Sequence, residues 1–265
     1  MRPPEVPEQF PTGAGPKTTL MQLHGGGPGV DAGTNWLSVS DRLAETFACV
    51  APDLLGFGSA LSLPNGIALP HGPVAWARAR AQQIVDLMDE HDLEQVAVLG
   101  NSAAGGAAAL ALMATVPGRV SRAVVMGGAG TGGLPATVPF YDDRSRDSML
   151  ATLANLVADP KAHEELLDRL ADLRLEQALR PGAEEAFRAM FEPVDAPEPI
   201  DLSVVTCPVL ALHGELDRVS PVAVSERLVE RLPNARLEVV AGAGHWIHVD
   251  RPDEFCLLVE EFLHA

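Results

Sequence analysis

A chain of 265 residues has room for one or two domains and buries roughly 70–75% of its unfolded surface without disulfide or metal staples. With 47% hydrophobic and 21% charged residues it reads as globular rather than disordered. Lys and Arg number 19 against 36 Asp and Glu, and the net charge of −17 repels phosphate backbones and anionic lipid, which excludes nucleic acid and membrane surfaces as expected partners.

The N-terminus, MRPPEVPEQFPTGAGPK, has no apolar stretch of the secretory kind, and no 18-residue uncharged apolar run occurs anywhere, so a soluble cytoplasmic protein is expected. Residues 1–17 carry prolines at 3, 4, 7, 11 and 16 and read as an extended arm. After the arm, aliphatic runs alternate with amphipathic stretches. Strands are predicted at Thr18–Leu23, Phe47–Ala51, Gln95–Leu99, Arg122–Met126, Pro208–His213 and Arg236–Val240. Most lack apolar/polar alternation, as strands covered on both faces do. Helices are predicted at Ala75–His91, Ala107–Ala114 and Pro221–Leu232, so the alternation points to an α/β fold: a mostly parallel sheet with helices on both faces.

Between the fourth and fifth strands the rhythm breaks. Pro160–Leu170, Leu173–Leu179 and Ala183–Phe191 are helix-like and charge-rich, and the proline-rich PVDAPEPID closes the segment. A helical insertion at that point lies over the end of the sheet where such folds bind ligands, so residues 131–199 are a candidate lid on a core formed by 18–130 and 200–265. Cys49, Cys207 and Cys256 are odd in number and far apart, and are expected as reduced core thiols.

The strongest local signal is VAVLG-NSAAGG at 96–106. A strand runs into Ser102, small residues stand two positions either side (Gly100 and Ala104), and an Ala-rich helix follows. A sharp strand–turn–helix with a strained serine at its tip needs these small neighbours. Ser102 is therefore the candidate nucleophile. Upstream, HGGGPG at 24–29 follows the first strand. Its spacing fits neither phosphate-binding glycine motif, since no Gly-Lys-Ser/Thr follows. An oxyanion-binding loop fits better, with the Gly26 N–H paired with that of Ala103. A serine nucleophile needs a base, and the base an orienting acid. His245 lies on a glycine-rich turn after the last strand, and Asp217 follows the strand that ends at His213. Glu215 and Asp250 are competing acids. A zinc pair formed by His245 and His248 lacks a helix or third ligand to support it, and no metal or other cofactor is expected.

These blocks identify the chain as resembling the α/β-hydrolases, and more narrowly the meta-cleavage product C–C bond hydrolases of the 2-hydroxymuconic semialdehyde hydrolase type. HGGGPGVDAGTNW, APDLLGFG, GNSAAGG, HGELDRVSP and GHW match successive blocks of that family, and LRLEQALRPGAEEAFRAMF resembles its lid helices. The resemblance implies an α/β-hydrolase fold with a helical lid. It also implies hydrolysis of a vinylogous 1,5-diketone bearing a dienol and a carboxylate, a small-molecule substrate with no cofactor. His245 would assist ketonisation and activate Ser102 or water, with Asp217 orienting its ring. Gly25, Gly27, Asn35, Asn101, Arg174 and Trp246 would bind the dienolate and carboxylate end. A homodimer is compatible with the resemblance.

Three departures qualify it. The proline-rich arm leaves little room for the N-terminal hairpin usual in the family, Ala103 replaces an aromatic residue or Met, and Ala104 replaces Gly. A roomier or differently shaped site follows. An ester, lactone or acyl-eliminating hydrolase of a polyketide or other secondary-metabolite pathway fits the same residues, and a non-catalytic receptor built on the fold is a third reading.

Overall fold

The structure is a computed structural model that describes residues 17–63, 68–128, 140–195 and 198–265. The arm 1–16, the boundary expected at 130/131, the first part of the expected lid and residues 196–197 of its closing segment lie outside the described residues.

Among the described residues six strands form one sheet: β1 (Thr19–Leu23), β2 (Ala48–Val50), β3 (Val96–Asn101), β4 (Val120–Met126), β5 (Val209–Gly214) and β6 (Ala235–Val240). All six predicted strands are present. Their order is β2-β1-β3-β4-β5-β6 and every described pairing is parallel. The chain steps outward from β1 to β2, then returns to place β3 on the other side of β1. The C-terminal ends of β1 and β3 therefore flank the point where the strand order reverses, the place where open α/β sheets form a crevice.

Side chains along each strand alternate between the two faces because the strand period is two residues. Met21, Leu23, Val98, Ala123, Val125 and Ala211 enter one apolar cluster, while Leu20, Ala97, Leu99, Val124, Met126 and Leu212 enter the other. Helices α1 (Ala32–Trp36) and α2 (Ser40–Thr46) put Trp36 and Leu43 into the second cluster. Helices α3 (Pro73–Glu90) and α4 (Ala107–Thr115) cover the first face with Trp76, Ile84, Leu110 and Leu112. Each large aliphatic side chain buried in this way contributes about 1.5–3 kcal/mol.

Among the described residues four α-helices connect β4 to β5: α5 (Phe140–Asp143), α6 (Arg146–Ala154), α7 (Glu164–Ala178) and α8 (Ala183–Met190). Two expectations change here. The two expected helices, Pro160–Leu170 and Leu173–Leu179, merge into α7, with Pro160–His163 forming the turn before it, because Leu167, Leu170, Ala171, Arg174 and Ala178 form one continuous buried stripe. The α6 stretch carried no predicted helix; Ser145 caps it by accepting the Ser148 N–H at 3.1 Å. Phe140, Met149, Leu153, Leu167 and Leu170 form their own apolar cluster with Trp246 and Val249.

The chain ends with α9 (Ala223–Arg231), α10 (Ile247–Asp250) and α11 (Pro252–His264), of which α11 seals the second face with Phe255, Val259 and Phe262. Cys256 is buried, but Cys49 and Cys207 are only half-buried; all three thiols are free. Burial pushes the Cys49 and Cys256 thiols up to about 11, so they are unreactive at neutral pH.

Candidate active site

Strand β3 ends at Asn101, and Ser102 takes φ +54°, a left-handed conformation that non-glycine residues rarely adopt. The strain is held by tight packing. The chain from Ser102 to Gly106 forms one wide helical turn before α4, and a Cβ on Gly105 would lie 1.9 Å from the Leu23 carbonyl oxygen. Only glycine lets that turn rest against the end of β1. Ala104, the departure at the second position after the serine, is fully buried, and its methyl lies 3.2 Å from where a Cβ on Gly26 would stand. The extra methyl thus fills space that the Gly-rich loop leaves free.

Ser102 Oγ lies 2.8 Å from His245 Nε2, and His245 Nδ1 lies 2.7 Å from Asp217 Oδ2. A carboxylate only accepts, so Nδ1 carries the ring proton and Nε2 accepts from the serine hydroxyl. Asp217 Oδ1 accepts the Val219 and Ser220 amides at 2.7 and 2.9 Å, and His213 Nε2 stands 3.3 Å from Oδ2. Burial alone would raise this carboxyl, but hydrogen bonds from His213 and His245 hold it well below the usual carboxylate range. The competing acids are engaged elsewhere: Glu215 accepts the Gly242 amide, and Asp250 accepts the Ala158 and Gly244 amides and faces His163. Among the described residues no group of three His, Cys, Asp or Glu is placed to hold a metal.

Ser102 and His245 open into a cavity of about 670 Å³, part of it open to solvent. Gly26 and Ala103 line it beside the serine. Ala103 lies in the first turn of its helical segment, where backbone N–H groups have no intrahelical acceptor. Gly25, Gly27, Asn35, Asn101, Arg174 and Trp246 also line this cavity, so every residue assigned to the site from sequence lines it except Asp217, which stands behind the His245 ring.

Arg174 is 1% exposed, and its Nε and Nη2 make no hydrogen bond to a described residue. Its guanidinium lies 4.9 Å from the Trp246 ring centroid, and burial lowers it to about 10, which leaves it cationic at neutral pH. Asn35 Oδ1 accepts the Gly25 N–H at 3.0 Å and Asn101 Nδ2 at 2.8 Å. Asn35 Nδ2 and Asn101 Oδ1 are buried with no partner among the described residues.

Residues 23–256 match the alpha/beta hydrolase family. The chain belongs to the alpha/beta hydrolase family. This α/β-hydrolase is 34% identical over 250 residues to a 2-hydroxymuconate semialdehyde hydrolase of Pseudomonas putida, covering 91% of this chain and 85% of that one. A 2-hydroxy-6-oxo-2,4-heptadienoate hydrolase of Pseudomonas putida strain F1 is 35% identical, with 96% and 91% covered. Among solved structures, a 2-hydroxy-6-oxo-6-phenylhexa-2,4-dienoate hydrolase from Rhodococcus sp. strain RHA1 matches with TM-score 0.83 at 31% identity, covering 94% and 91%. The resemblance to meta-cleavage product hydrolases read from the sequence blocks is borne out, and this α/β-hydrolase is an enzyme of hydrolytic type.

Sequence reasoning missed the remaining walls of this hydrolase's cavity. Thr152, Asn155 and Leu156, in and just after α6, line it together with Phe187 of α8 and Val219. Thr152, Asn155 and Leu156 carry no local motif, because they reach the cavity only through the docking of α6; Phe187 and Val219 lie inside the blocks LRLEQALRPGAEEAFRAMF and HGELDRVSP, which do not single them out. Gly127, at the end of β4, was also missed: with φ +67°, a Cβ there would lie 2.6 Å from the His245 ring. Among the described residues no helix is long and apolar enough to cross a membrane.

Proposed function

We propose that this α/β-hydrolase cleaves a carbon–carbon bond in a vinylogous 1,5-diketone that carries a dienol and a carboxylate, a 2-hydroxy-6-oxo-dienoate. One observation carries the reading. Arg174, Asn35 and Asn101 all line the Ser102 cavity, and each carries buried polar atoms with no partner among the described residues: Arg174 Nε and Nη2, Asn35 Nδ2 and Asn101 Oδ1. Buried polar groups are normally paired, so this set suits a ligand with a carboxylate next to an enol hydroxyl. A simple ester offers nothing to these atoms. The relatives whose printed names are those of 2-hydroxy-6-oxo-dienoate hydrolases support the same substrate class.

In this reading Arg174 holds the carboxylate and Asn35, Asn101 and Trp246 hold the enol end, with the Gly25 and Gly27 backbone close beside them. His245 assists movement of the enol proton to the carbon that will leave, forming the ketone. It then activates Ser102 Oγ, or a water, for attack on the distal carbonyl carbon. The Gly26 and Ala103 amides stabilise the oxyanion, a contribution of roughly 3–4 kcal/mol per donor in comparable sites. Asp217 keeps the His245 ring in the tautomer that accepts from the nucleophile. Overall, water adds hydroxyl to the acyl carbon and hydrogen to the released carbon. Residues 131–199 act as a lid over a core formed by 18–130 and 200–265, an assignment supported by the walls that α6, α7 and α8 contribute to the cavity.

The test is turnover of a chromogenic 2-hydroxy-6-oxo-dienoate against an aryl acetate. Bleaching of the dienol is expected in the wild type and is expected to fall by at least about 10³-fold in Ser102→Ala. Arg174→Ala is expected to lower kcat/KM about 10²-fold on the dienoate while changing the neutral ester by less than about 3-fold. Equal losses on both substrates would remove the proposed role of Arg174, and ester turnover with no dienol bleaching would overturn the C–C reading.

A further inference from the structure

The turn that carries His245 continues into α10, where His248 is fully buried and does not reach the cavity. Its Nε2 lies 2.9 Å from the Asn35 carbonyl oxygen. A carbonyl only accepts, so the ring proton sits on Nε2, and Nδ1 is left without a partner among the described residues. Trp36, Trp246 and Phe255 surround the ring at centroid distances of 5.4, 5.7 and 5.8 Å and fix its plane. A reciprocal bond runs the other way: the exposed Ser38 donates its hydroxyl to the His248 carbonyl at 2.9 Å.

The residue at the far end of this clamp is Asn35, whose side chain accepts the Gly25 amide and the Asn101 side-chain amide. Gly25 precedes Gly26, and Asn101 precedes Ser102. Three separate pieces of chain thus meet through one histidine and one asparagine: the turn bearing His245, the glycine-rich loop and the serine turn. Other polar anchors of the His245 turn run to the segment after α6, through Trp246 N–H to the Leu156 carbonyl at 2.7 Å and through Asp250 to the Ala158 amide. Further bonds hold the turn to the loop after β5, through the Leu216 N–H to the Ala243 carbonyl and the Gly242 N–H to Glu215; apart from the reacting His245–Ser102 bond itself, none of these reaches the serine turn or the glycine loop.

We infer that His248 is a positioning residue, which through Asn35 sets the registration of the His245 base against Ser102 and the Gly26 amide. The inference rests on Ser102 and His245 performing the chemistry, but not on whether the bond cleaved is C–C or ester. A small loss of registration lowers the rate of the chemical step far more than it weakens ground-state binding. The substitution His248→Leu removes the Nε2–H donor while keeping an apolar side chain among the three aromatic rings. It is expected to lower kcat about 10-fold or more with KM within about 3-fold. His248→Gln, whose amide N–H can reach the same carbonyl, is expected to recover kcat to within about 3-fold of wild type. A purely packing role predicts instead that Gln, being polar, does worse than Leu.

Ser38→Ala removes the reciprocal bond from the surface without touching the core, and is expected to lower kcat by about 2–5-fold at unchanged KM and Tm. It carries the test if His248→Leu does not fold. Unchanged kcat in a folded His248→Leu overturns the inference, as does a Gln variant worse than Leu. If His248→Leu does not fold, unchanged kcat in Ser38→Ala does the same. Ser102→Ala separates the two levels: full activity in that variant removes the reading of the site itself. An inactive Ser102→Ala beside a fully active, folded His248→Leu removes only the role given to His248.

Discussion

Two buried histidines hold opposite tautomers behind the cavity. His24 Nδ1 faces the Gly25 carbonyl at 2.8 Å, and its Nε2 accepts the Leu54 N–H at 2.9 Å, so the proton is on Nδ1. In His248 the proton is on Nε2, facing the Asn35 carbonyl. Neither ring can take a second proton without cost: on His24 it would displace the Leu54 amide, and on His248 it would place a cation in an apolar box. Burial accordingly pushes His24 down to about 4 and His248 to about 3. Because both values lie below the ordinary histidine value near 6.5, the unfolded chain binds more protons than the folded one between roughly pH 3 and 6.5. Stability is therefore complete above that window and is lost as pH falls through it. Urea midpoints measured from pH 7 to pH 4 are expected to fall steadily, and His248→Gln is expected to reduce that slope by about one proton. An unchanged slope in the variant would show that His248 titrates normally in the folded state.

At the scale of elements, the site is made by close approaches at strand ends. A Cβ on Gly100 would lie 2.7 Å from the Gly105 carbonyl oxygen, so the return of the chain from β3 into α4 leaves no room for any other residue. Gly127 does the equivalent for the base. It ends β4 with a positive φ, and the His245 ring occupies the space a side chain would need. Gly127→Ala adds backbone strain of about 1–3 kcal/mol, and the easiest relief is a shift of the ring rather than of the sheet. That shift separates Nε2 from Ser102. A loss of about 10²-fold in kcat is expected with Tm lowered by only a few degrees, measured on any substrate that depends on Ser102. A wild-type kcat in this variant would show that the ring has slack that the packing does not suggest.

The whole molecule carries −17 charges, and the 131–200 region shares in it with 7 basic and 14 acidic residues. Three of its six arginines neutralise surface acids: Arg146 with Asp168 and Asp172, Arg144 with Glu184, Arg188 with Glu184 and Asp142. Such exposed pairs add little to stability. Among the described residues two guanidiniums are fully buried, and they differ in kind. Arg80 donates to the Leu55 carbonyl and is flanked by the Trp76 and Phe57 rings, so its donors are used in holding the fold. Arg174 lines the cavity and has two guanidinium nitrogens, Nε and Nη2, with no partner among the described residues. An anionic substrate must approach through the negative field before it reaches that local charge. Raising ionic strength from about 10 to 150 mM shortens the Debye length from roughly 30 to 8 Å, and is expected to raise kcat/KM for the dienoate about 2–3-fold while leaving a neutral ester unchanged. A fall with salt would mean that attraction to Arg174 outweighs the global field at long range.

Strand positions, the serine turn, the glycine-rich loop and the order Ser102, Asp217, His245 were legible because each depends on short-range demands. Buried parallel strands need unbroken aliphatic runs, and a sharp strand-to-helix turn needs small residues at fixed offsets. The choice of Asp217 over Glu215 and Asp250 was legible only as a preference. What decided it was the placement of the loop after β5, which aims one carboxylate at His245 while the other two accept backbone amides. Arg174 was visible only through resemblance, since nothing near it in the chain distinguishes it from the other arginines of the helical segment. Its meaning comes from the buried stripe of α7 on which it lies, from the Trp246 ring beside it and from nitrogens with no partner among the described residues. The roles of Asn155, Phe187, Gly127 and His248 were not legible at all, because contacts between distant segments leave no periodic or compositional trace. Local sequence determined the fold and the reacting groups. Tertiary packing decided which of the arginines, acids and histidines face the cavity, because only the folded chain determines which polar atoms are partnered by protein and which are left for a ligand.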